Sequence, residues 1–305
     1  MSIHADLKPV RVSAMNAVHD LAVFVARDEG LFRDEGLDVE IRSTPGTAQV
    51  NADRQALREG IFDRTMESLY NTGDVDQYRM CEWGVMKRTV EAMQCGQRTA
   101  KIVALGAAMS KMAIITAPNS RIYEPEQLKD TPVAVSPFNG SHFTTLKMLE
   151  GFVKKEHILV VNAGTMQERL EAVRTGAVAA GNFMEPWISI AQKQGFRLLI
   201  ESHSTRSEAA SDDLDGPTLA AMFRAEARAA ELINQHPEKY AHYLLKEAMG
   251  LLEPHELQTW RLLYGPPVPY SRERFQATYE WMLGYPGLVA PGATYETVVD
   301  NRAWE

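Results

Sequence analysis

The spacing of apolar and polar residues changes period repeatedly along this chain, and each change marks an element. Val10 and Val12 alternate with Arg11 and Ser13, a period of two that predicts a strand. A polar loop with Asn16, His19 and Asp20 follows, and from Leu21 the spacing turns helical until Gly30 stops it. Gly36 to Ile41 restores the alternation, which completes a βαβ opening. Residues 51 to 70 read as helix, Tyr78 to Met80 as strand, and Val85 to Met93 as helix. Two further strands are expected at 101–105 and 113–117, with a crossover near 106 to 112.

A second unit then starts afresh. Pro132 to Ser136 reads as strand, 137–142 as loop and 143–152 as an amphipathic helix. A strand at 158–161, a helix at 165–175, a short strand before Glu185 and a helix through Ala191 follow, and 196–200 forms the exit strand. The polar stretch 201–217 contains a turn at Asp212 to Pro217, and 218–285 carries a helical pattern almost throughout.

One phrase occurs in both units. Thr72-Gly73-Asp74-Val75 runs on to Cys81-Glu82-Trp83, and Thr175-Gly176-Ala177-Val178 runs on to Met184-Glu185-Pro186-Trp187. A turn, a strand and a carboxylate at the strand's C-terminal end is how an open α/β sheet offers a polar group to a ligand crevice. The duplication predicts an α/β chain of two lobes facing one cleft. The expected division is residues 1–108 in lobe 1, 109–200 in lobe 2, and 201–305 returning as a helical part of lobe 1.

Length and composition narrow the function. With 305 residues, 45% of them hydrophobic, the chain can fill two cores. Its formal charge of −8 gives no general attraction to nucleic acid or anionic lipid, and no segment offers the roughly 20 apolar residues of a membrane span. Cys81 and Cys95, the only two cysteines, read as free thiols. No phosphate loop, dinucleotide fingerprint or metal-ligand spacing is present, so neither a cofactor nor a metal is expected. The N-terminus shows no apolar leader, and a cytoplasmic location is the expectation.

Several blocks in order resemble a known family. Asn16-x-x-His19, Val25-Ala26-Arg27-Asp28-Glu29-Gly30-Leu31-Phe32 and Gly36-Leu37-Asp38-Val39 open the match. Glu126 to Lys129, Pro132 to Val135, Gly140-Ser141 and Thr175 to Val178 continue it, over about residues 10 to 245. This pattern is similar to the type II periplasmic-binding-protein fold, in the branch of sulfonate, taurine and nitrate binders and fungal thiamine pyrimidine precursor synthases. The resemblance implies two lobes clamping a small ligand, with the C-terminal helical segment packed on lobe 1. It implies cleft positions for Asn16 and His19. It does not extend to the synthases' activity, because their cysteine-rich iron-binding motif is missing.

Each candidate residue has a chemical reason and a plainer alternative. Asn139-Gly140-Ser141 opens the helix at Phe143, where backbone N–H groups and a hydroxyl favour an anion, although Asn139-Gly140 is also an ordinary turn and Ser141 an ordinary N-cap. Asn16 equally reads as a cap and His19 as a loop residue. Cys81 at a strand end reads as a thiolate nucleophile or as a small buried hydrophobe. Glu82 and His142 suit proton transfer. Glu185 suits ligand contact or pairing with an arginine of lobe 1, and Trp187 suits stacking on a planar ligand or core packing. The combination predicts a cytoplasmic binder of a small planar or aromatic carboxylate or sulfonate. The leaning is to a cofactor-independent lyase, a decarboxylase or desulfinase using Cys81, Glu82 and His142 while the lobes close to exclude water. The alternative is a solute-binding protein, a sensor or carrier without catalysis. An ABC permease is an expected partner only if an export signal precedes this sequence.

Overall fold

The computed structural model describes residues 7–43 and 66–305, so the part of the helix expected over 51–70 that precedes residue 66 lies outside the described residues. The first half comprises β1 (Lys8–Ala14), α1 (Ala17–Asp28), α2 (Leu31–Asp34), β2 (Leu37–Ser43), α3 (Met66–Asn71), β3 (Gln77–Cys81) and α4 (Glu82–Gln94). A long strand, β4 (Lys101–Thr116), leads to β5 (Val133–Val135), α5 (Gly140–Leu149), β6 (Val160–Asn162), α6 (Met166–Arg174), β7 (Ala180–Phe183) and α7 (Trp187–Lys193). A second long strand, β8 (Arg197–Ala210), precedes α8 (Gly216–Gln235), α9 (Pro237–Glu247), β9 (Leu263–Tyr264), α10 (Arg272–Leu283) and α11 (Tyr295–Val298).

The strand order is β2-β1-β3-β8-β4-β7-β5-β6, with β9 added to β4. Parallel pairing of β1 with β2 and β3 builds one end, and parallel pairing of β5 with β6 and β7 builds the other. Between them β4 and β8 run antiparallel, from Lys101 opposite Ala210 to Thr116 opposite Arg197. Each end is a βαβ unit, and the two long strands belong to both. Parallel strands need helices on their faces, which is why α1 and α8 cover one end and α5 and α6 the other.

Two sequence expectations change here. Residues 106–112 are not a separate crossover but the middle of β4, where the register with β8 shifts between Leu105 and Met109. Gly106 lies in that irregularity because a Cβ there would come within 2.3 Å of Glu208 Oε1. The stretch 201–210, read as polar loop, is the second half of β8. It hides from a period-two search because its buried positions include Ser204, Arg206, Ser207 and Glu208.

Two apolar clusters lock the layers. In one, Val10, Val12, Leu21 and Phe32 meet Leu219, Met222 and Ile233 of α8 and Leu244 of α9. In the other, Met80, Val85, Met86 and Phe143 meet Tyr270, Phe275 and Met282 near α10. Each large apolar side chain buried this way contributes about 1.5–3 kcal/mol. The C-terminal segment is therefore part of both cores. Residues 248–271 carry short 3-10 turns and β9 instead of the expected continuous helix. Among the described residues no helix is long and apolar enough to cross a membrane.

Candidate functional site

The C-terminal ends of β1 and β3 carry a buried charge cluster. Arg79 donates from Nε to both oxygens of Glu208 at 3.1 Å, from Nη1 to Asp20 Oδ1 at 3.3 Å and from Nη2 to Glu226 Oε1 at 3.4 Å. Gln77 Nε2 donates to Glu208 Oε2 at 2.6 Å. Burial, with Glu208 nearby, pushes the Glu226 carboxyl up to about 8, so it holds its proton at neutral pH. Asp20 also accepts the N–H groups of Met15 and Asn16 at 2.7 and 3.1 Å, which fixes the loop between β1 and α1.

Arg206 stands beside this cluster in a different condition. It lies directly opposite Cys81 in the β3–β8 pairing and is 1% exposed. Its Nε and Nη2 have no hydrogen-bond partner, and it forms no ion pair among the described residues. Its Nη1 would lie 3.8 Å from a Cβ placed on Gly140, so the guanidinium reaches the first residue of α5. Burial lowers its pKa, yet a guanidinium remains protonated. Asp20 and Glu208 act on it only from a distance, and a buried cation with no carboxylate in contact carries a desolvation cost that an incoming anion offsets.

The two helix starts around Arg206 are capped alike. At α1, Ala17 donates to Glu247 Oε1 at 2.6 Å and His19 to Asn16 Oδ1 at 3.1 Å, which leaves the Val18 N–H without a partner among the described residues. At α5, Gly140 N–H goes to Asn139 Oδ1 at 2.8 Å and His142 N–H to Asn139 O at 2.9 Å. The Ser141 N–H has no partner among the described residues. Its side chain is held instead, with Oγ accepting the Ser136 N–H at 2.9 Å and leaving the hydroxyl hydrogen to donate. A ten-residue helix with one unpaired N–H in its first turn, next to a bare guanidinium, is electrostatically favourable to an anion.

The expected ligand residues divide accordingly. Gly140 and Ser141 sit at this junction, inside the helix and not in the loop before it. Asn139 and Asn16 are the caps of their helices, as the plainer reading had it. His19 is no loop residue. It lies in the first turn of α1, buried, with Nδ1 unpartnered, and burial together with the Arg206 charge drives its pKa well below the usual histidine range.

The proposed catalytic groups are arranged for other work. Cys81 is fully buried, and burial pushes its thiol up to about 11, so the thiolate expected from its strand-end position does not form near neutrality. Glu82 does not face Arg206. Its carboxylate accepts from Tyr270 Oη at 2.5 Å, Arg274 Nε and Nη2 at 2.9 and 2.7 Å, and Thr278 Oγ1 at 3.2 Å, which fastens α10. His142 Nδ1 accepts the Phe138 N–H at 2.9 Å, and burial with the nearby Lys87 charge lowers it to about 4. Both effects favour its neutral form near pH 7. Glu185 accepts from Arg261 Nη1 at 3.3 Å and Ser189 N at 3.2 Å, the arginine-pairing alternative. Trp187 packs in the core beside Ile188 and Ile190, and Trp83 stacks on Phe143 with ring centres 5.8 Å apart.

Arg206 is the residue that sequence reasoning missed. The signal available was a lone arginine in alternation with Ser204 and Glu208, easily read as a solvated turn.

No protein-family model and no curated protein sequence matches the chain. Solved structures do. The alkanesulfonate-binding protein SsuA from Xanthomonas axonopodis pv. citri, bound to MOPS, superposes with a TM-score of 0.69 at 16% identity, covering 97% of this chain and 99% of that one. The periplasmic nitrate-binding protein NrtA from Synechocystis matches with a TM-score of 0.65 at 13% identity, over 98% and 88% of the two chains. A Candida albicans protein described as having the generic periplasmic binding protein structural fold matches at 0.67 and 13% identity, over 97% of each chain. This chain has the type II periplasmic-binding-protein fold. The two long strands β4 and β8 pair in the middle of its sheet, and Arg206 stands on β8. This arrangement brings His19 of α1 and Gly140 of α5 to a single buried guanidinium.

Proposed function

We propose that the chain is a non-catalytic binder of a small oxyanion, held between Arg206 and the start of α5 at Ser141. The single observation that carries this reading is the bare, buried Arg206 guanidinium. The Ser141 N–H and hydroxyl supply further donors, and neutral His19 supplies a ring nitrogen of either hydrogen-bonding sense. Structural neighbours described as binding alkanesulfonate and nitrate support an oxyanion as ligand class. The lyase reading has no comparable support. It required a reactive thiol and two free proton carriers, and Cys81, Glu82 and His142 are buried or engaged elsewhere.

The test is incubation of the purified chain with a panel of small sulfonates, carboxylates and nitrate, with native mass spectrometry of the complex and analysis of the released ligand. One equivalent of anion should be bound and recovered unchanged, with the same result for Cys81→Ser. A product formed by the parent chain and lost in Cys81→Ser would overturn the binder reading in favour of catalysis.

A further inference from the structure

We propose that Arg169 of α6 is the positioning residue of the anion site, holding the 136–141 loop and lending it an uncompensated positive charge. This inference rests on the anion-binding reading of Arg206 and α5. Arg169 is wholly buried and, like Arg206, has no carboxylate partner among the described residues. Its Nη1 donates to Asn182 O at 2.5 Å and its Nη2 to Ser136 Oγ at 2.6 Å, while Nε is unpartnered. The same two partners hold the start of α5. Ser136 N–H donates to Ser141 Oγ at 2.9 Å. Asn182 Nδ2 donates to Ser141 O at 3.2 Å, Thr144 Oγ1 at 3.1 Å and Thr145 Oγ1 at 2.8 Å. Arg169 is thus joined through single intermediaries to the residue whose N–H and hydroxyl face the site.

The choice of residue type is informative. A neutral amide would hold Ser136 and the Asn182 carbonyl without burying a charge, and replacing a buried charge by neutral groups is often neutral or stabilising. Burial draws the Arg169 guanidinium down to about 10, which leaves it a cation at neutral pH. Gly181 permits its approach, because a Cβ there would lie 3.1 Å from Arg169 Cγ and 2.9 Å from the Phe183 ring. A fixed cation behind a helix start raises the local potential felt by an anion in front of it. The cation therefore contributes to the site without touching the ligand.

The experiment is calorimetric titration of ethanesulfonate and of nitrate into the parent chain, Arg169→Met, Arg169→Lys and Ser136→Ala, with ligand-free melting of each. Affinity in Arg169→Met should fall by about ten-fold as the charge behind the helix start and its hold on Ser136 are lost, while its ligand-free melting temperature moves little because the relieved desolvation offsets the two lost hydrogen bonds. Arg169→Lys should recover most of the affinity, and Ser136→Ala, a mild substitution, should lose several-fold even if Arg169→Met does not fold. A purely structural brace would lower melting and affinity together with no rescue by lysine, and that result overturns the proposal. Parent-like affinity in Arg169→Met or Ser136→Ala overturns it too and leaves the anion site standing. No binding of either anion by the parent chain would overturn the anion reading itself, and this inference with it.

Discussion

Arg79 and Arg206 stand on adjacent strands, both almost wholly buried, and differ in what surrounds them. Arg79 meets Asp20, Glu208 and Glu226, and the last of these keeps its proton to well above the usual carboxyl range. That proton makes the cluster sensitive to pH. The folded pKa of Glu226, about 8, exceeds its ordinary value of 4.5, so the native chain holds a proton that the unfolded chain has released. Its stabilising contribution is complete below pH 4.5 and is lost as pH rises through 8. Glu226→Gln keeps the neutral form at every pH. Its urea midpoint should match the parent's near pH 5 and exceed it at pH 9; equal midpoints at both would show that Glu226 is ionised in the native cluster. Sequence could propose neither arginine's role. The two have the same side chain, and what separates them is the position of carboxylates up to about 150 residues away in the chain, such as Glu226 for Arg79.

At the scale of elements, the repeated turn-strand-glutamate phrase acquires a use. Gly73 and Gly176 both take a left-handed conformation, with φ of 78° and 77°, so the turns are alike as the repeated Thr-Gly implied. Both glutamates end buried, and both are bound by arginines of the C-terminal segment, Glu82 by Arg274 and Glu185 by Arg261. The duplicated carboxylates each receive an arginine of the returning chain. Glu82→Gln should therefore lower stability by about 2 kcal/mol, since several charged hydrogen bonds weaken around a partly exposed Arg274. Anion affinity should stay within about two-fold, well under the 1.4 kcal/mol that a ten-fold change requires. Denaturant unfolding and titration of the same sample check both. The βαβ openings, the strand at Val133–Val135 and the glycine-stopped helix were legible because local period and turn residues specify them. The polar second half of β8 was not, because strand pairing on both sides overrides a composition that favours a loop. The start of α5 was set three residues too late for a related reason. Gly140, Ser141 and His142 are poor helix formers that become the first turn through the Asn139 cap.

The molecule as a whole is two βαβ ends strung on two long antiparallel strands, with the C-terminal segment packed into both cores. Its one buried arginine opposite a strand end and beside a helix start lies on β8, one of those two strands, with β1–α1 on one side and α5 on the other. An anion there would meet the β1–α1 end and the α5 end of the sheet at once. The order of blocks along the sequence was sufficient to place the chain in this fold, while the anchor of the site came from the structure. The most direct test of that anchor is titration of ethanesulfonate and nitrate into Arg206→Met beside the parent chain, with ligand-free melting as the control for folding. The account predicts saturable binding by the parent, a loss of about 100-fold or more in Arg206→Met, and a ligand-free melting temperature that is unchanged or higher. Binding of equal strength in the two proteins would contradict it.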